Sequence, residues 1–334
     1  MGFVICYIAT AILFFTSFFT GTPLLSSLVF AFIIIPLADL IIGPQKTFLE
    51  EKSGYIWAYL WLPVQATLLG CGVLLASSLS WGSVLAWGVP MGLIAGAFGI
   101  TLAHEVGHRY DKWSQAFATI LLSMVSYAHF TIEHNLGHHL NVATRGDPAT
   151  GRRGETLWAF LPRTVYEQYI HAWGIEERRL IKAGKDPWSQ DNAMFKLTGL
   201  SAGIPLLILI VLGVKPFVFF AVQAIVAVFL LECINYVEHY GLVRRNLGDK
   251  YERVTNLHSW NANFWLTNHL FFRLQQHADH HAHTSKKFGQ LVPLPGGPQL
   301  PFGYPTMVLL ALLPPLWFKI MNPKVRLTRI LPKD

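Results

Sequence analysis

The chain has 334 residues, of which 52% are hydrophobic and only 13% charged, about half the charged share of an ordinary soluble domain. With a mean hydropathy of +0.39 and 23 Phe, 11 Trp and 11 Tyr, a soluble enzyme, a disordered chain and a collagenous one are excluded, because so few polar residues cannot cover a water-facing surface. The net charge of +7 and pI near 9.3 do not call for nucleic acid, since Lys and Arg gathered on the inner loops of a membrane protein give the same balance.

In chain order, nearly uncharged windows long enough to cross a bilayer, about 17 to 25 residues, lie at 3–19, 24–42, 56–79, 83–103, 197–214 and 216–235. The first begins at once and lacks a basic leader, so it reads as a retained helix rather than a cleaved signal. Two further apolar windows, 113–130 and 304–321, are expected not to cross. The first separates two groups of histidines that must share a side if they serve one site. The second holds Pro305, Pro314 and Pro315 and is followed by Lys319, Lys324, Arg326, Arg329 and Lys333, which a crossing would export.

The expectation is an all-α integral membrane protein with six transmembrane helices. With the N-terminus inside, the short outer loops near 20–23, 80–82 and 215 contain Lys215 and leave the other 25 of the 26 Lys and Arg on the inner side, as the positive-inside rule prefers. One domain, 1–334, would carry a cytoplasmic His-rich helical cap formed mainly by 104–195 and 239–334. Cys6, Cys71 and Cys233 are far apart in apolar stretches. They form neither a disulfide framework nor a four-Cys iron centre and read as packing residues.

Eight of the 14 histidines fall in three groups: His104 with His108, His134 with His138 and His139, and His277 with His280 and His281. Residues four apart share a helix face, so 104 with 108, 134 with 138 and 277 with 281 can each turn two imidazoles to one side. Adjacent histidines diverge by about 100°, so 138 and 139, or 280 and 281, can address separate ions. Eight imidazoles exceed what one ion holds, and a dinuclear centre follows, with iron, zinc and copper all compatible with imidazole. Glu105, Glu133, Asn235, Glu238 and Asp279 lie nearby as candidates to orient the ring nitrogens.

The string His104-Glu105-Val106-Gly107-His108 also fits an intramembrane HExxH zinc protease, with Glu105 as base. That reading leaves the downstream histidine pairs without a purpose. A divalent-metal transporter would place polar ligands near the bilayer midplane, whereas the midplane portions of these windows are almost free of ionisable groups, Asp39 and Glu232 coming closest near the inner ends.

The strings AHEVGHR at 103–109, IEHNLGHH at 132–139, RGDPAT at 145–150, NYVEHYGL at 235–242 and LQQHADHHAH at 274–283 resemble those of the bacterial membrane alkane hydroxylases, within the membrane di-iron desaturase and hydroxylase superfamily. The resemblance spans nearly the whole chain and departs from the family in a short N-terminal extension. It implies two iron ions held by nine histidines: His104, His108, His134, His138, His139, His239, His277, His280 and His281. It further implies O2-dependent terminal hydroxylation of medium or long n-alkanes to primary alcohols, with the alkane drawn from the lipid phase and the active site on the cytoplasmic side of the bacterial inner membrane. Xylene side-chain monooxygenases and fatty-acyl desaturases are the alternatives within the superfamily. The chain has no dinucleotide fingerprint, so the electrons come from outside; in the resembled family they come from a rubredoxin served by an NAD(P)H-dependent reductase. His129, His171, His258, His269 and His283 fall outside the match and are expected to pack or hydrogen-bond.

Overall fold

The computed structural model describes residues 4–48 and 54–330; Lys333 lies outside them. Among the described residues the chain is helical and forms no extended sheet. Helix α1 is Val4–Thr20, α2 Pro23–Ile42, α3 Gly54–Ala76, α4 Trp81–Gly107 and α5 Lys112–Ser123. Helix α6 covers residues 130–141, α7 is Leu157–Lys182, α8 Ala193–Leu212 and α9 Val214–His239. Three short helices, α10 Trp265–Leu270, α11 His277–Ala282 and α12 Tyr304–Ala311, and the longer α13 Pro314–Ile330 follow.

Five of these, α2, α3, α4, α8 and α9, are long and apolar enough to cross a membrane, and the protein is a multi-pass membrane protein. The crossing expected at 3–19 falls to α1, whose 17 residues reach about 25 Å at 1.5 Å per residue, less than the other five. Helix α5 has 12 residues, about 18 Å, and stops at Met124, so the 113–130 window holds no crossing helix. Over 304–321, α12 and α13 meet at 119°, and the break falls just before Pro314 and Pro315, which cannot continue a helix. Cys6 and Cys233 are buried as expected, whereas Cys71 faces outward.

Three sets of contacts join the helices. Gly88, Gly92 and Gly96 line the face of α4 that meets α9. A Cβ at Gly92 would lie 2.6 Å from the Gln223 carbonyl oxygen and one at Gly96 3.0 Å from the Ala227 Cα. Small residues at this spacing let backbones approach within a membrane, where packing rather than hydrophobic exclusion drives association. Nearby, the buried Glu232 carboxylate accepts from Tyr127 Oη at 3.0 Å, Thr164 Oγ1 at 3.0 Å, Gln168 Nε2 at 2.9 Å and Asn235 Nδ2 at 3.1 Å. These bonds tie α9 to α7 and to the turn ahead of α6. Asp39 does the same between α2 and α10, accepting from the Thr267 backbone N–H at 3.0 Å and its hydroxyl at 2.6 Å. Both acids are therefore fully hydrogen-bonded structural ties, which is how a buried carboxylate is tolerated.

Candidate metal centre

Nine of the ten histidines in the five strings, all but His283, converge at the C-terminal ends of α4 and α9. They divide into two groups, each with its ligand atoms within 4.8 Å of one another: His104, His108, His134, His139 and His280 in one, and His138, His239, His277 and His281 in the other. In the first group, His134 Nε2 lies 2.9 Å from His139 Nε2 and 3.2 Å from His108 Nε2, and His280 Nε2 is 3.2 Å from His139 Nε2. In the second, His277 Nε2 lies 3.1 Å from His239 Nε2 and 3.0 Å from His281 Nε2.

Helix geometry explains most of this division. His104 and His108 lie four apart at the end of α4, and His277 and His281 four apart on α11, so each pair faces one group. The neighbours 138 and 139, and 280 and 281, split between the groups as their angular divergence requires. The expected pairing of His134 with His138 does not occur. Residues Glu133–His138 form a π-turn, in which the backbone bond runs from i to i+5. The wider turn moves the shared face on by one residue, so His134 joins His139 and His138 turns to the second group.

The donor set fits metal ions. Burial holds His134, His139, His277, His280 and His281 far below the usual histidine range, and pushes His108 down to about 4. At neutral pH these imidazoles are uncharged, the state in which the ring offers a lone pair. His138 is the exception: burial is the largest influence and lowers its pKa, but the Asp147, Glu133 and Glu232 carboxylates together raise it above the usual range. Its Nδ1 lies 3.0 Å from Asp147 Oδ2, while its Nε2 is buried with no hydrogen-bond partner, as a nitrogen turned toward a cation would be.

The groups proposed to orient the rings are placed variously. Glu238 Oε2 lies 3.1 Å from His277 Nε2. Glu133 Oε2 faces His171 Nδ1 at 2.9 Å, so this pair ties α6 to α7 and His171 is no bystander. Asn235 donates to Glu232 rather than to His239, because Glu232 lies one turn back on the same face; His239 Nδ1 instead faces the His258 carbonyl at 3.4 Å. Asp279 is bonded to none of the nine clustered histidines; its carboxylate binds Lys286 Nζ at 2.8 Å, His283 Nδ1 at 2.6 Å and the Val292 N–H at 3.0 Å, anchoring the segment after α11. Glu105 accepts the Phe288 N–H at 3.0 Å. His129 packs between Tyr127 and Tyr169, and His269 against Trp265.

A cavity among the helices extends to the centre. Leu13, Phe30, Ile94, Phe98 and Val308 are among its apolar lining, and His104, His134, His277, Asn235, Glu238 and Tyr304 among its polar lining.

The sequence pattern of the fatty acid desaturase family matches residues 81–309. Alkane 1-monooxygenase 2 of Pseudomonas aeruginosa is 40% identical over 308 residues, covering 88% of this chain and 81% of that protein. Alkane 1-monooxygenase of Pseudomonas putida is 36% identical, covering 87% and 75%. The chain belongs to the fatty acid desaturase family, among its alkane 1-monooxygenases. A xylene/toluene monooxygenase hydroxylase component of Pseudomonas putida is also similar, at 29% identity over 72% of this chain and 63% of that protein.

Two features of this alkane 1-monooxygenase escaped the reading of its residues. Asp147 sits in the string RGDPAT yet was not singled out; Thr150 and the Ala149 N–H fix it against His138. Tyr304, far along the chain, donates to Glu238 Oε1 at 2.6 Å, and nothing local marks it.

Proposed function

We propose that the two histidine groups hold one iron each and that the enzyme uses O2 to convert the terminal methyl of a medium or long n-alkane to a primary alcohol. The observation that carries this reading is nine imidazoles, seven of them buried, in two groups, with His104, His134 and His277 lining an apolar cavity. An unactivated C–H bond offers no dipole, acid or leaving group, and the bound irons supply the O2 activation that its attack demands. The chain's own residues supply position and dryness. Leu13, Phe30, Ile94 and Phe98 exclude water and admit a hydrocarbon end first, and Tyr304 and Asn235 stand beside the metal end. The balance is alkane, O2, two electrons and two protons to alcohol and water.

Product analysis with octane, xylene and a fatty-acyl substrate tests the reading. Octan-1-ol as the main product is expected; a benzylic alcohol or an unsaturated acyl chain as the main product would replace it with one of the relatives.

Asp147 holds the His138 ring so that Nε2 faces the second group. Asp147→Asn is expected to lower iron affinity about 10- to 100-fold, the usual cost of losing a group that orients a metal-bound histidine. Chelator competition on the purified protein measures it, and unchanged retention would remove Asp147 from the site.

The electrons are proposed to come from a rubredoxin and its NAD(P)H-dependent reductase on the cytoplasmic side of the bacterial inner membrane. The Lys and Arg outside the spanning helices suit an acidic carrier. Turnover at limiting carrier should fall as salt rises, because salt screens exposed charges beyond about 10 Å; activity with NADH and no added protein would contradict this. Cysteines placed at the exposed Lys46 and Arg145 are expected to react with an impermeant thiol reagent only from the cytoplasmic side.

A further inference from the structure

The centre is not supported by imidazole alone. Glu238 is 2% exposed and lines the cavity beside His277 and Tyr304. Its Oε2 lies 3.1 Å from His277 Nε2, the nitrogen that itself faces His239 and His281 at 3.1 and 3.0 Å. A carboxylate that merely orients a metal-bound histidine sits behind the ring, on the nitrogen away from the ion, as Asp147 does for His138. Glu238 instead approaches the nitrogen turned into the group. Its other oxygen accepts from the Tyr304 hydroxyl at 2.6 Å, and no Lys or Arg ion pair is formed with it among the described residues. A buried carboxyl group is tolerated when its oxygens have partners; the Tyr304 hydroxyl serves one oxygen, and an ion held by the second group is the partner that the geometry offers the other.

We propose that Glu238 is the oxygen ligand of the four-histidine iron, making the two ions chemically unequal: five imidazoles for one, four imidazoles and a carboxylate for the other. Spacings near 3 Å between donor atoms are those expected of neighbouring ligands at about 2.0–2.2 Å from a common ion. Tyr304 holds the free oxygen and so sets the carboxylate's angle. The hard oxygen and its negative charge favour the more oxidised ion at this position, so the second group is the one whose electronic state responds to Glu238.

The test is anaerobic loading of purified wild type, Glu238→Gln and Tyr304→Phe with 57Fe(II), followed by iron counting, Mössbauer spectra and timed removal by a chelator. Wild type is expected to give two distinct quadrupole doublets of equal area. In Glu238→Gln one doublet shifts while the other stays, and the affected iron leaves at least about tenfold faster. Tyr304→Phe keeps both irons. Wild-type doublets and retention in Glu238→Gln overturn the assignment. Should that variant fail to fold, Glu238→Asp, which keeps the charge and withdraws the oxygens by one methylene, is read the same way. The proposal rests on the di-iron reading: fewer than two irons in wild type would sink that reading, whereas two in wild type with an unchanged Glu238→Gln sinks only the carboxylate ligand.

Discussion

His239→Ala is expected to lose the iron of the second histidine group and all detectable alkane hydroxylation while the first group keeps its iron. His239 stands alone in sequence at the end of α9, yet its Nε2 lies 3.1 Å from His277 Nε2 and its Nδ1 faces the His258 carbonyl. That arrangement orients a ligand. Loss of an orienting partner already costs about 10- to 100-fold in metal affinity, and loss of the ligand itself must cost more. His269→Ala, which removes only a ring stacked on Trp265, keeps both iron and activity. Iron analysis and product assay on the two variants decide the point; a fully loaded, active His239→Ala enzyme would reduce the centre to eight histidines.

Gly92→Val is expected to weaken both groups at once without touching either. The added methyls would have to displace Val226, 2.5 Å from a Cβ at this position, and the Gln223 carbonyl oxygen at 2.6 Å. A side chain can turn aside but a helix backbone cannot, so α4 and α9 must separate. Overpacking of this kind costs about 1–3 kcal/mol, and the separation also parts His104 from His239. The thermal transition should fall by several degrees and iron retention should drop for both ions. Gly70→Ala on α3, where a Cβ meets nothing within 4 Å, serves as the comparison and should leave both unchanged.

The membrane character, the helical class and the position of the histidines at or just beyond helix ends were legible because they rest on composition and on apolar windows, which are local signals. The split of 138 from 139 and of 280 from 281 was legible for a similar reason, since adjacent positions diverge on any helix. The partner of His134 was not. A 3.6-residue period assigns it to His138, and only the π-turn at Glu133–His138 sends it to His139. Long-range partners were hidden too: Glu133 meets His171 on α7, and Glu238 meets Tyr304 near the end of the chain, pairings that depend on how helices pack rather than on spacing. Asn235 shows the opposite failure, since one helical turn correctly placed it on the face of His239 but Glu232 competes for its amide.

Most directly, the account is tested by turnover of the iron-loaded enzyme with an n-alkane under 18O2, with a rubredoxin and its reductase supplying electrons. Two bound irons beside an apolar cavity predict a primary alcohol carrying one labelled oxygen, formed only when both histidine groups are filled. Unlabelled alcohol, oxidation spread along the chain, or full activity with a single iron would contradict it.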